Sequence, residues 1–143
     1  MLSDQEQAEK IVHHLMYSND RFSQWLGIDI LEVMPGKCTV QVKVKPEMLN
    51  GFNICHGGVT FALGDSAFAF ASNSRGIQSL SVETSISHIK KVLPDDTITA
   101  VATEKHITSK FGHYEVLLTN QHNETVAIFK GTVFRTGKSW EIL

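Results

Sequence analysis

Apolar positions along this chain recur at helical spacing near the start and every second residue through most of its length. In one stretch between, they occupy every face. Ala8, Ile11, Val12, Leu15 and Met16 lie three and four residues apart behind a Ser3-Asp4-Gln5-Glu6 capping box, which predicts an amphipathic helix over about Asp4 to Tyr17. Ser18-Asn19-Asp20 ends it and caps a short second turn carrying Phe22 and Trp25, stopped by Gly27. From Ile28 the period becomes two. Ile28 to Met34 and Lys37 to Lys45 flank Pro35-Gly36 and read as a hairpin, with Cys38, Val40, Val42 and Val44 on the covered face of its second arm. Pro46 ends that arm.

Asn50 to Gly58 follows as a loop punctuated by Gly51, Gly57 and Gly58, glycines that allow unusual backbone angles or close approaches. Val59 to Ser74 then carries Val59, Phe61, Ala62, Leu63, Ala67, Phe68, Ala69, Phe70 and Ala71, apolar all round, so this helix belongs inside the protein. One charge, Asp65, interrupts it. Four strand-like runs complete the chain. Leu80, Val82, Thr84, Ile86 and His88 alternate with Ser79, Ser81, Glu83, Ser85 and Ser87; Ile98 to Ile107 follows the Pro94-Asp95-Asp96 turn; Tyr114 to Asn120 and Thr125 to Phe134 follow turns at Lys110 to His113 and Gln121 to Glu124. Short turns predict antiparallel neighbours in a meander. A one-sided sheet must cover its apolar face, and only the helix after Gly58 is apolar enough to do so. The expected architecture is α+β, a curved antiparallel sheet wrapped around one long central helix. It forms a single domain over 1–143, with an N-terminal helical segment over 1–27.

Composition narrows the function classes. A net charge of −2 gives no general attraction for nucleic acid or an anionic membrane. The longest apolar run contains Asp65 and several small polar residues, which argues against a membrane span. Met1 to Lys10 is polar and acidic, unlike a signal peptide. Cys38 and Cys55 form no motif and point to reduced thiols in the cytoplasm. His88, His106, His113 and His122 share no metal-ligand spacing, so no metal site is expected.

Leu49-Asn50-Gly51, Cys55-His56-Gly57-Gly58 and Leu63-Gly64-Asp65-Ser66-Ala67-Phe68-Ala69 closely resemble the hotdog-fold acyl-CoA thioesterases of the PaaI type, within the 4-hydroxybenzoyl-CoA thioesterase superfamily and associated with phenylacetate degradation. The resemblance runs from about Trp25 to Thr136. It implies a thioesterase acting on an aryl- or medium-chain acyl-CoA. It also implies that Asn50, His56, Gly57 and Asp65 belong to the active site, and that a hydroxyl on the strand after the helix takes part, with Ser81 and Thr84 as candidates on either side of Glu83. Members are dimers or dimers of dimers, so a homodimer assembling to a homotetramer is expected. No cofactor is implied beyond the coenzyme A carried on the substrate.

The residues suit that chemistry. A helix's first amides have no intrahelical partner and lie at the positive end of its dipole, so the first turn can receive a developing oxyanion, and glycines at 57 and 58 let a substrate carbonyl come close enough to accept such a bond. Burial of Asp65 near Phe61, Phe68 and Ala69 should raise its pKa and make it a better base toward water, or a nucleophile. Asn50 would orient the water or the thioester oxygen, and Lys90-Lys91 are first choice among the cations for the coenzyme A phosphates. Gly57 and Asp65 lie eight positions apart, about 12 Å along one helix. One carbonyl meets both only where two copies of the helix run antiparallel across a two-fold axis.

Structural readings compete with these. From the residues alone, Asp65 could equally be a carboxylate bonded to Ser66 or a strand, His56 could simply hold the loop, and Cys55 reads as a packed thiol more than a nucleophile. At the level of function, the competitors are an enoyl-CoA hydratase or dehydratase on the same fold, pairing His56 with a carboxylate, and a non-catalytic acyl-CoA-binding protein.

Overall fold

A computed structural model describes residues 1–142. The chain opens with α1 (Asp4–Glu9), whose capping box is formed: Ser3 Oγ accepts the Glu6 amide at 3.1 Å and Glu6 Oε2 accepts the Ser3 amide at 2.8 Å. The helix runs on through wider turns over Lys10–Met16 and a tight turn over Tyr17–Asn19. Asp20 then caps α2 (Arg21–Leu26), which Gly27 ends in the left-handed region at φ 83°.

Six strands form one antiparallel sheet: β1 (Asp29–Met34), β2 (Lys37–Lys43), β3 (Ile77–His88), β4 (Thr97–Ile107), β5 (Phe111–Thr119) and β6 (Thr125–Ser139). Their spatial order is β1-β2-β4-β5-β6-β3. This corrects the simple meander that short turns predicted. β4 pairs with β2 and β3 pairs with β6, so the chain crosses from one edge of the sheet to its interior between His88 and Thr97. The open side of β2 recruits β4, and β3 is left as an edge strand.

The long helix α3 (Gly57–Asn73) packs on β2, β3, β4, β5 and β6, which wrap around it. The contact is close because two glycines remove side chains from it. A Cβ on Gly131 would come within 2.6 Å of the Phe68 ring, and one on Gly64 within 3.1 Å of the Phe129 ring. Phe68 also packs against Phe129, tilted, and against Tyr114, edge to face, at centroid distances of 5.7 and 5.8 Å. At the far end Asn73 is buried yet satisfied: its Oδ1 accepts from the Ser79 amide and from Trp140 Nε1, and its Nδ2 donates to the Ser79 carbonyl.

Three local expectations change. Gly57 and Gly58 lie inside the first turn of α3 instead of the preceding loop. β5 starts at Phe111, because Thr108 makes the turn by accepting the Lys110 and Phe111 amides at Oγ1. The even-numbered face of β3 is broken at Val82, an extra residue between the pairs Ser81–Val133 and Glu83–Thr132. Such a bulge moves later side chains to the opposite face. Leu80 and Val82 are therefore exposed, whereas Ile86 packs on the core.

Candidate active site

The site starts from the cap of α3. His56 sits in extended conformation (φ −61°, ψ 135°) and its Nδ1 accepts the Gly58 amide hydrogen at 2.8 Å. That is the N-cap position where Ser, Thr, Asp and Asn are favoured. An Nδ1 that accepts carries no proton, so the neutral ring holds its hydrogen on Nε2. The His56 carbonyl takes the Val59 amide at 2.9 Å. Gly58 is thus spent on the cap, while the Gly57 amide makes no hydrogen bond to the described residues. It remains open at the positive end of a 17-residue helix.

Neither glycine uses left-handed angles; each is needed for closeness. A Cβ on Gly57 would meet His88 Nε2 at 3.1 Å, and one on Gly58 would meet His56 Nδ1 at 3.0 Å. Gly51 faces open space and has no such requirement.

Asn50 shapes the loop that leads here. Its Oδ1 accepts the Phe52 amide at 2.9 Å and, more weakly, the Ile54 amide at 3.4 Å, while a Leu49–Cys55 bridge closes the loop. Its Nδ2 has no partner among the described residues. Asn50, Gly57, Thr60, His88, Lys90 and Lys91 line one cleft of about 310 Å³. A second cleft, of about 350 Å³, lies on the other side of the cap, between His56, Gly58, Val59 and Ala62 on one wall and Phe22 and Trp25 on the other.

Asp65 is on the same helix but lines neither cleft. It belongs to the stripe Gly58, Ala62, Asp65, Ala69, which the chain's own sheet leaves partly uncovered. Its carboxylate has no hydrogen bond or ion pair among the described residues, and Ser66 bonds to Ser23 Oγ at 2.8 Å instead. The structural reading of Asp65 as a partner of Ser66 therefore fails. Burial, and secondarily the nearby Asp20, push its pKa above the ordinary carboxylate range. A half-buried acid with a raised pKa and no partner is disposed to take a proton.

Of the other expected residues, Lys90 is engaged by Glu124, leaving Lys91 without an ion pair among the described residues. Thr84 is half-buried in register with Ile86, whereas Ser81 is exposed and stands before the bulge. Burial pushes the Cys55 thiol to about 11 and the Cys38 thiol to about 12, so neither is a thiolate nucleophile near neutrality. Two groups were missed from sequence: His88, and the exposed Phe22–Trp25 pair with ring centroids 5.8 Å apart. His88 had a legible signal, as the last member of the alternating row Thr84, Ile86, His88.

No described helix is long and apolar enough to cross a membrane. The thioesterase superfamily model matches residues 52–127, which include the cap, α3 and β3 to β5. The chain is 40% identical to the acyl-coenzyme A thioesterase PaaI of Escherichia coli K12 over 124 residues, 87% of this chain and 89% of the relative. The solved structure of the E. coli PaaI protein from the phenylacetic acid degradation operon superposes with a TM-score of 0.92 at 37% identity, covering 96% of this chain and 99% of that one. A Streptococcus mutans protein solved with acetyl CoA bound matches with a TM-score of 0.76 at 28% identity, over 79% of this chain and 91% of that chain. The curved sheet around α3 is the hotdog fold. Matched by the family model over residues 52–127 and 40% identical to a thioesterase over 87% of its length, this chain belongs to the thioesterase superfamily.

Proposed function

We propose that the protein is an acyl-CoA thioesterase that hydrolyses aryl- or medium-chain acyl-CoA to the free acid and coenzyme A. The observation that carries this reading is the division of labour along α3: an amide at Gly57 and a carboxylate at Asp65, neither with a hydrogen-bond partner among the described residues. The Gly57 N–H receives the thioester oxygen as it becomes negative, and Asn50 Nδ2 orients the same oxygen or the attacking water. Asp65 takes the proton of that water as it adds to the carbonyl carbon, or adds directly as nucleophile to give a mixed anhydride that water then hydrolyses, releasing the acid and restoring the Asp65 carboxylate. On either route the C–S bond breaks, and coenzyme A leaves as a thiolate that acquires a proton. Lys91, with Lys90 once released from Glu124, holds the coenzyme A phosphates. The reading needs no cofactor beyond the coenzyme A of the substrate.

Because the two groups lie about 12 Å apart along one axis, the working unit is a homodimer in which Gly57 of one α3 faces Asp65 of the other. Two features support this: the partly uncovered stripe through Asp65, and β3, a 12-residue edge strand with Leu80 and Val82 exposed. Such an edge is a template for pairing with a second copy. Across the outer face, Leu80 pairs with Phe134 and Phe134 with Phe111, an apolar row that offers a surface for assembly of dimers into a tetramer. Cys38 and Cys55 are both buried and unpaired, which supports a reducing, cytoplasmic setting.

A hydratase would pair His56 with a carboxylate, but His56 Nδ1 is occupied by Gly58 and no acid among the described residues bonds its ring. The test is thiol release from a panel of phenylacetyl-, benzoyl- and hexanoyl-CoA. Turnover that collapses in Asp65→Asn is expected. Water addition to an enoyl-CoA without thiol release, or coenzyme A binding without any turnover, would overturn the reading.

A further inference from the structure

Resting on the thioesterase reading above, we propose that His88 is a catalytic residue that gives the thioester oxygen a second hydrogen bond, from Nε2–H, beside the Gly57 amide. The two groups come from distant parts of the chain, the last residue of β3 and the first of α3. They meet because α3 packs on β3 and because residue 57 has no side chain. The position a Cβ would take on Gly57 lies 3.1 Å from His88 Nε2 and 3.2 Å from its Cε1.

That contact bounds the distance that matters. The nitrogen and Cβ of one residue are about 2.5 Å apart, so the Gly57 nitrogen and His88 Nε2 are at most about 5.6 Å apart. One oxygen accepting at about 2.9 Å from each donor spans up to about 5.8 Å. The separation therefore admits a single carbonyl oxygen between the two.

The ring is also uncommitted. Neither nitrogen of His88 has a hydrogen bond among the described residues, the side chain is exposed, and it lines the cleft shared by Asn50, Gly57 and Thr60. Nothing fixes its tautomer, so an oxygen arriving at Nε2 selects the Nε2–H form. His56, the other imidazole nearby, already spends Nδ1 on Gly58 and serves as the cap.

Three variants test this on whichever panel thioester the wild type turns over fastest. His88→Phe keeps a planar ring without a donor, His88→Gln keeps a donor at similar reach, and His88→Ala removes both. Loss of one oxyanion donor lowers kcat by about a hundredfold. His88→Phe and His88→Ala are expected to show that loss, with affinity for free coenzyme A unchanged by calorimetry, and His88→Gln to recover to within about tenfold of wild type. If His88→Phe turns over within twofold of wild type, or if only KM and coenzyme A affinity change, the proposal is wrong and His88 is a wall of the cleft. A wild type that releases no thiol at all would instead overturn the thioesterase reading itself.

Discussion

His56 Nδ1 holds the Gly58 amide at 2.8 Å, and that bond determines which amide at the start of α3 stays open. Imidazole is an uncommon cap, and a shorter acceptor should serve the helix as well. His56→Asn is therefore expected to unfold in urea within about 0.5 kcal/mol of wild type, whereas His56→Ala should lose about 1 kcal/mol through the missing cap. If both variants lose equally, the bond is incidental to the helix.

Asp65 is held above the ordinary carboxylate range, mainly by burial. Its ionised form is thus less favourable in the folded chain than in the unfolded one. The resulting stability cost is absent below the unfolded pKa and complete once pH rises above the folded value. Asp65→Asn should consequently melt higher than wild type at pH 7, with the gap closing as the pH falls through the folded pKa. The same change should lower kcat by about a hundredfold or more. Calorimetric scans across pH, beside thiol-release kinetics, read both effects.

Asp20 contributes to that shift from the start of α2, where its Oδ1 accepts the Ser23 amide at 2.9 Å. Asp20→Asn preserves the cap and removes the charge. The acid limb of the kcat/KM profile is expected to move to lower pH, because Asp65 then ionises more readily. An unmoved limb would mean that the field of Asp20 does not reach the working base.

Gly131 carries no side chain because the Phe68 ring occupies its place, 2.6 Å from an ideal Cβ. Gly131→Ala must push the ring toward Phe129 and Tyr114, which already flank it. A stability loss of about 1–3 kcal/mol is expected, read as a lower urea midpoint with an unchanged slope. Adding Phe68→Leu should return part of it.

Subunit mixing tests whether the site is shared. Asp65→Asn and Gly57→Val should each be nearly inactive alone. Co-expressed, half of the dimers are mixed and each mixed dimer has one intact site, so about a quarter of wild-type activity should return. No recovery, with mixed dimers demonstrated by mass, would place both groups in one chain's site.

Much of this was written in the chain. An all-round apolar run has one physical reading, so α3 and its burial were legible, and so was Asp65, a lone carboxylate within it. The hairpin around Pro35-Gly36 and the cap on Ser3 likewise follow from local rules. What local rules cannot carry is pairing between distant strands. The departure of β3 to the far edge depends on β4 finding β2, and no spacing near Pro94 announces it. Nor does composition reveal that Gly57 and Gly58 are helical, since glycine favours a loop by propensity and the His56 cap overrides that preference. His88 was visible as an alternating position; only the fold brings it against Gly57.

The extra residue at Val82 works as a change of parity within one strand. Upstream of it Leu80 looks outward, and downstream Thr84 and Ile86 look toward the helix. A β3 that paired every residue in step, with Val82 taking a place in the ladder, would turn Ile86 away from the helix or Leu80 toward it. The outer surface and the interior of this protein are thus tied together by a single position in its longest free edge.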